Sequence, residues 1–303
     1  MTVASPRASV LRRIAVDVRP LRHHDFRRLW VGGSVSMVGF QLTAVAVSVQ
    51  MFDITRSSLW VGLIGIAALV PLVVFGLYGG AVSDAVDRRK LLVASSYLTW
   101  ASTGGLLLHA LLGLEQPVTL LALVAVQSVG FAFSSPVRGA VVPRLLPREL
   151  VPAGNTLWST SFGIGAVIGP LVAGAVLAGG SYALAYGIDA LLFTAGLYAA
   201  HRLPPIPPLG EITPPGLRSV VEGLSFIARH PVLLMSFAVD IVAMVMAMPR
   251  ALFPEVAVER FGGAGAAGWL YASIALGSVV GGLLSGWIGR VRRQGMALVT
   301  AVV

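Results

Sequence analysis

Three polar side chains stand deep inside long apolar runs: Gln41, Gln127 and Asp240. Each falls near the middle of a stretch long enough to cross a bilayer, where a polar group is costly unless it is paired or used. A carboxyl group at that depth can exchange a proton or meet a cationic group; it can equally be a protonated acid hydrogen-bonded between helices. The two glutamines have the same choice between a ligand and a neighbouring helix. Asp189 and His109 lie closer to the ends of their runs, so water is expected to reach the first, and the second reads as interfacial. A second group, Gly80-x-x-x-Asp84 followed by Arg88, Arg89 and Lys90, sets a carboxylate one helical turn beyond a glycine and beside three cations. A third, Gly165-x-x-x-Gly169-Pro170-x-x-x-Gly174, combines small residues that admit a neighbouring backbone with a proline that bends the helix. Phe131, Phe133, Trp158 and Phe162 offer aromatic surface to an apolar ligand or to packing.

Other chemistries are poorly provided for. The chain has no cysteine, which excludes disulfides, thiolate metal sites and cysteine nucleophiles. It contains no G-x-S-x-G, no H-E-x-x-H and no G-x-x-x-x-G-K-[ST]. Of five histidines, His23, His24, His201 and His230 lie outside the apolar runs. No enzyme, metal, cofactor or nucleotide site is expected.

The elements that position these residues are membrane spans. The 303 residues are 56% hydrophobic and only 12% charged, with a mean hydropathy of +0.85; soluble domains carry about 25% charged residues. Eight runs reach bilayer length: Leu29–Phe52, Leu59–Ala81, Leu91–Gly113, Val118–Val137, Thr156–Ala178, Tyr182–Ala200, Val232–Leu252 and Gly268–Ile288. A ninth begins near Met296. Their continuous rather than alternating character excludes β-barrel strands. Counting the arm before Leu29 and the even-to-odd connections, 19 of the 22 Lys and Arg residues fall on one side, leaving Arg56, Arg250 and Arg260 on the other. Basic residues stay cytoplasmic, so the N-terminus is expected inside. The same distribution accounts for the +9 charge as a topology signal and removes nucleic acid as a partner. Ala44-Val45-Ala46 looks like a signal-peptide cleavage site, but the basic arm is too long and the apolar run continues past it.

Residues 201–231 hold seven of the 18 prolines, which favours an extended linker. Within it Leu217, Val220, Val221, Leu224 and Ile227 recur at helical spacing, as in a short amphipathic interfacial helix. The chain thus divides into a basic arm (1–28), six spans (29–200), the linker (201–231) and a second transmembrane set (232–303). Gly80 to Arg89 at the end of the second span is echoed 202 residues later by Gly282 to Arg290 at the end of the eighth. Parallel repeats of this kind mark secondary transporter folds.

The loop motif Gly80-x-x-x-Asp84 with Arg88, Arg89 and Lys90 resembles that of the major facilitator superfamily, with Ala85 replacing a basic residue and Asp87 a glycine. Gly165 to Gly174 resembles the antiporter motif of its drug-efflux members. Ser135-Pro136-Val137-Arg138, Pro143-Arg144 and Gly169-Pro170 together are similar to the enterobactin and macrolide exporter branch. The resemblance implies an all-α polytopic membrane protein, a helical bundle of twelve spans in two halves. The chain matches the first eight spans and the start of the ninth, and so reads as a C-terminally truncated copy. It places Gln41, Gln127 and Asp240, on spans one, four and seven, along a central substrate and proton cavity. It gives Gly80, Asp84, Arg88 and Arg89 to a cytoplasmic gate closing on an eleventh helix, and Gly165, Gly169, Pro170 and Gly174 to a rocking helix. One departure is that span four carries no basic residue where many proton-coupled drug exporters have an arginine. The function implied is a secondary active, proton-coupled exporter of a small apolar, siderophore-like or drug-like molecule. It would work by alternating access in a bacterial inner membrane, with the lipid bilayer, substrate and protons as partners; the alternative is a non-transporting remnant or scaffold.

Overall fold

The computed structural model describes residues 17–207, 225–247 and 249–284, with side chains in 77–85, 240–247 and 282–284 outside that description. Nine α-helices are described: α1 (His24–Thr55), α2 (Ser58–Ala85), α3 (Arg88–Leu111), α4 (Pro117–Leu145), α5 (Val151–Ala178), α6 (Tyr182–His201), α7 (Pro231–Ala247), α8 (Phe253–Phe261) and α9 (Gly265–Leu284). The protein is an all-α polytopic membrane protein, and no strand occurs among the described residues. Among the described residues, six helices are long and apolar enough to cross a bilayer by themselves, and they are the first six. Spans seven and eight correspond to α7, which has 17 described residues, and α9, which has 20. The segment from Met296, the first part of the basic arm and most of the expected amphipathic helix lie outside the described residues.

Local sequence chemistry sets the boundaries. Proline opens α4 at Pro117 and α5 at Pro152, where a missing N–H costs nothing. Asp87 caps α3, its carboxylate accepting from the backbone N–H of Arg89 at 2.8 Å and of Lys90 at 3.3 Å. Ser181 caps α6 by accepting from Leu184 N–H at 3.1 Å. The seventh run breaks earlier than expected: α7 ends at Ala247, and Arg250–Leu252 forms a 3-10 turn that leads into the short helix α8. Pro249 and Pro254 bracket that break, and α8 carries Glu255, Glu259 and Arg260, a polar load no span would tolerate.

Helix α1 is the axis of the bundle and the most deeply buried of its long apolar helices among the described residues. It packs mainly on α6 and α5, while α3 joins α4 and α6, and α2 lies on α4. Its contact with α6 is a ladder of small and polar residues. A side chain at Gly32 would stand 2.7 Å from Ala195 O, and one at Gly196 would strike Ser36. Further along, Tyr186 donates to Gln50 Oε1 at 2.6 Å, and Tyr182 to Asp53 Oδ2.

We call the end of the bundle carrying the α2–α3 and α4–α5 connections the linker end. There the first linker residues are clamped by arginines. Arg89 donates to His201 O at 2.7 Å, Arg28 to Arg202 O at 3.3 Å and Arg144 to Pro207 O at 3.4 Å. Arg89 and Arg28 thereby satisfy carbonyls that the end of α6 leaves open, and Arg144 holds the chain further along the linker. Asp87 joins the clamp by accepting from Ile206 N–H at 3.4 Å, and Arg88 N–H donates to Ile206 O at 3.0 Å. The Asp87 departure in the loop motif thus has a structural use here. Glycine could neither cap α3 nor hold the linker.

Candidate functional site

A cavity of about 510 Å³ opens between α1, α4 and α5, with Thr99 of α3 and Phe193 of α6 at its margin. Its α4 wall follows helical spacing: Phe131, Ser134, Ser135, Arg138 and Val142. Phe40 and Phe131 stack within it, ring centroids 5.7 Å apart at 17°. Arg138 lies over the Trp158 ring at 5.8 Å. That indole can lie so close to α1 because residue 33 is glycine; any side chain there would collide with it. Arg138 and Trp158 lie seven residues inside α4 and α5, roughly 10 Å from the linker end. Arg138 makes no hydrogen bond or ion pair with any described residue, and its Nε is buried, as is the equally unpartnered indole Nε1 of Trp158. Among the described residues lining the cavity, none is Asp or Glu.

Arg138 corrects the expectation of a span four without a base. The apolar run stops at Val137, but α4 continues through Pro136 and Pro143 to Leu145. Prolines inside membrane helices are tolerated where neighbouring structure meets the freed carbonyls. The signal available in the sequence was the 3–4 spacing of Phe131, Ser134 or Ser135, Arg138 and Val142, which continues across the proline.

Away from the cavity, a second polar group is sealed inside the bundle. Asp189 of α6 is 0% exposed. Thr43 Oγ1 of α1 donates to its Oδ2 at 2.7 Å, and Thr103 Oγ1 of α3 donates to the same oxygen at 3.2 Å. Gln127 Nε2 of α4 donates onward to Thr103 at 3.4 Å. Oδ1 has no partner and lies against Gly39, where an added side chain would collide with it. Four helices thus meet at one carboxyl group. The expected access of water to Asp189 is overturned by this convergence, which position along the run could not reveal. His109, in the last turn of α3, is 2% exposed, and neither ring nitrogen has a hydrogen-bond partner among the described residues.

The other expected site residues are distributed as follows. Gln127 belongs to the sealed cluster and Gln41 faces α5 at Gly169; neither lines the cavity. Of the aromatic candidates, Phe131, Trp158 and Phe162 line it. Phe133 turns away to Phe75, 5.9 Å between centroids. In the Gly165 to Gly174 motif the glycines serve two interfaces. Gly165 and Gly169 bring α5 onto Met37 and Gln41 of α1, whereas Gly174 meets Gly265 and Gly268 of α9, and a side chain at Gly268 would strike Pro170 O. Gly80 and Asp84 lie in the last turns of α2 and Asp240 lies in α7, but their side chains are outside the described residues. Arg88 and Arg89 stand at the start of α3, in the linker clamp. No metal-holding cluster of His, Asp or Glu occurs among the described residues.

A bundle of apolar helices with an intramembrane cavity and a buried polar cluster defines a transporter-type membrane protein. Residues 15–303 match the family described as "Transmembrane secretion effector". The chain is 30% identical over 288 residues to the enterobactin exporters EntS of Citrobacter koseri, Shigella boydii and Escherichia coli, covering 93% of this chain and 68% of each of those proteins. It belongs to that family, on the enterobactin-exporter branch of the major facilitator superfamily. Among solved structures, a POT family transporter in complex with a thioalcohol-conjugated peptide shares the fold. Its TM-score is 0.51 at 15% identity, over 78% of this chain and 53% of that one, so the chain spans about half its length. As a member of this family the protein is a multi-pass inner-membrane protein whose surroundings are the lipid bilayer and whose ligand is a small molecule.

Proposed function

We propose that the protein is a secondary active exporter that moves a small molecule outward by alternating access, coupled to protons, with its N-terminus and linker end in the cytoplasm. In this reading residues 29–200 form one half, 201–231 the linker and 232–303 part of the other. The observation that carries it is where the cavity lies relative to the inter-helix contacts. The cavity occupies the linker-end side of the α1–α4–α5 wall. The described contacts between α1–α6 and α8–α9 lie toward the opposite end: Gly174 against Gly265 and Gly268, Ser58 Oγ donating to Glu255 Oε2, and Gly62 beside Ala251. A molecule entering from the linker side meets a wall closed behind it, and relocation of those contacts would release it on the far side. The charge asymmetry of the connections supports the direction. The relatives named above, exporters of enterobactin, favour outward movement of a siderophore-like or drug-like compound.

Proton coupling is assigned to carboxyl groups inside the spans. Asp240 near the middle of α7 remains the candidate for the substrate-side proton, and Gln41 and Gln127 are supporting polar groups of α1 and α4. Gly80, Asp84, Arg88 and Arg89 would govern closure at the linker end, and Gly165, Gly169, Pro170 and Gly174 the rocking of α5. The test is uptake of a fluorescent substrate into inverted vesicles, whose cytoplasmic face is outward, under an imposed pH gradient. Asp240→Asn is expected to abolish gradient-driven movement with unchanged membrane abundance, while Asp189→Asn measures any share of the sealed acid. Full gradient-driven activity in both variants ends the proton assignment, and no movement of any compound by the unaltered protein ends the exporter reading.

A further inference from the structure

The chemistry of the α1–α4–α5 cavity selects among the small molecules an exporter could carry, and this inference rests on the cavity being the substrate site. Among the described residues that line the cavity, Arg138 is the single formal charge and none is Asp or Glu. A guanidinium group offers five donors in a planar fork. Inside a membrane bundle such a group is ordinarily paired with a carboxylate or a carbonyl. Here it is paired with neither; only the face of Trp158 supports it. The Trp158 indole N–H also lacks an acceptor, but it is covered by protein. The terminal guanidinium nitrogens of Arg138, which are not so covered and have no partner, call for a ligand that brings acceptor oxygens. The rest of the wall calls for flat apolar surface: Phe40 stacked on Phe131, with Phe162 55% exposed beside them.

We infer that the cavity binds anionic aromatic molecules, their carboxylate or phenolate oxygens on Arg138 and their rings among Phe40, Phe131 and Phe162, and that it disfavours organic cations. The arginine supplies charge-assisted, two-pronged hydrogen bonds that a neutral ligand cannot match. An organic cation meets a like charge with no carboxylate among the described lining residues to offset it. The aromatic faces attract cations too, but less strongly than a guanidinium attracts a carboxylate, so the Arg138 charge sets the preference.

The experiment is calorimetric titration of the full chain in lipid nanodiscs with three probes of one shape: 2-naphthoate, 2-naphthamide and 2-naphthylmethylammonium. The expected order is anion, amide, cation, with the anion about tenfold or more tighter than the cation. Arg138→Gln is expected to remove that order while changing amide affinity less than about twofold, and Arg138→Lys to keep part of it. Circular dichroism checks folding, and Trp158→Leu, expected to weaken the anion most, carries the test should Arg138→Gln not fold. Equal binding of anion and cation, an order that survives Arg138→Gln, or no naphthoate binding at millimolar concentration overturns the inference. Proteoliposome flux separates it from the exporter reading. Arg138-dependent binding without flux overturns the exporter and leaves this site standing. Flux of neutral or cationic compounds with no anion preference overturns the site and leaves the exporter.

Discussion

Two polar sites share the first six helices and are built on opposite rules. At Asp189 four helices converge on an acid, and hydroxyl groups from α1 and α3 occupy one of its oxygens. At Arg138 a base stands in an open cavity with an aromatic face for company and no hydrogen-bonding partner. The first site answers its own electrostatic demand and is closed to ligands by packing. The second leaves its demand open toward a space of about 510 Å³. A buried polar group is therefore informative through its partners as much as through its depth: one satisfied by the protein holds helices together, and one left unsatisfied faces a guest.

Variants that separate stability from ligand binding break or sharpen this contrast. Asp189→Leu strands the Thr43 and Thr103 hydroxyls and is expected to lower stability by about 3 kcal/mol or more, at roughly 1–3 kcal/mol per orphaned group. Asp189→Asn, which still accepts from both threonines, is expected to lose much less; thermal unfolding in detergent compares the two. Next comes Gly39→Ala, whose methyl group meets the Asp189 carboxylate and stands 3.1 Å from its Cα. Forcing α1 from α6 should cost about 1–3 kcal/mol in the same assay. Thr43→Val and Thr103→Val are smaller, about 1 kcal/mol each, with Thr43 the costlier because its bond is 2.7 Å against 3.2 Å. The smallest effect belongs to Arg138→Gln, at under about 1 kcal/mol, since only a cation–π contact is lost. An Arg138→Gln loss as large as that of Asp189→Leu would make Arg138 a structural residue and erase the contrast.

Much of this architecture is legible in the residues. Hydropathy places the spans, because twenty apolar residues in a row have few other uses, and the Gly165 to Gly174 spacing foretells close backbone approach on α5. Lateral pairing is not legible. Asp189 and Thr43 are 146 positions apart, and nothing in either segment says that α6 turns its acid toward α1. Hydropathy also fails where a helix outlasts its apolar run. Arg138 and the turns after it remain helical because backbone hydrogen bonding inside a bundle persists beyond the last hydrophobic residue. The α8 turn escapes notice for the converse reason: its polar residues follow an apolar run without a gap.

The contact of Gly174 with Gly265 and Gly268 has a mechanical consequence. Where the two helices meet at Gly174, Gly265 and Gly268, with Pro170 O near Gly268, the contact is made by backbone rather than by long side chains. Changing the crossing angle there requires no knob to leave a hole and no rotamer to flip, unlike a leucine-packed interface. The α5–α9 joint is accordingly a smooth bearing, tight in distance yet low in friction, and replacing a single glycine by a bulky residue would seize it.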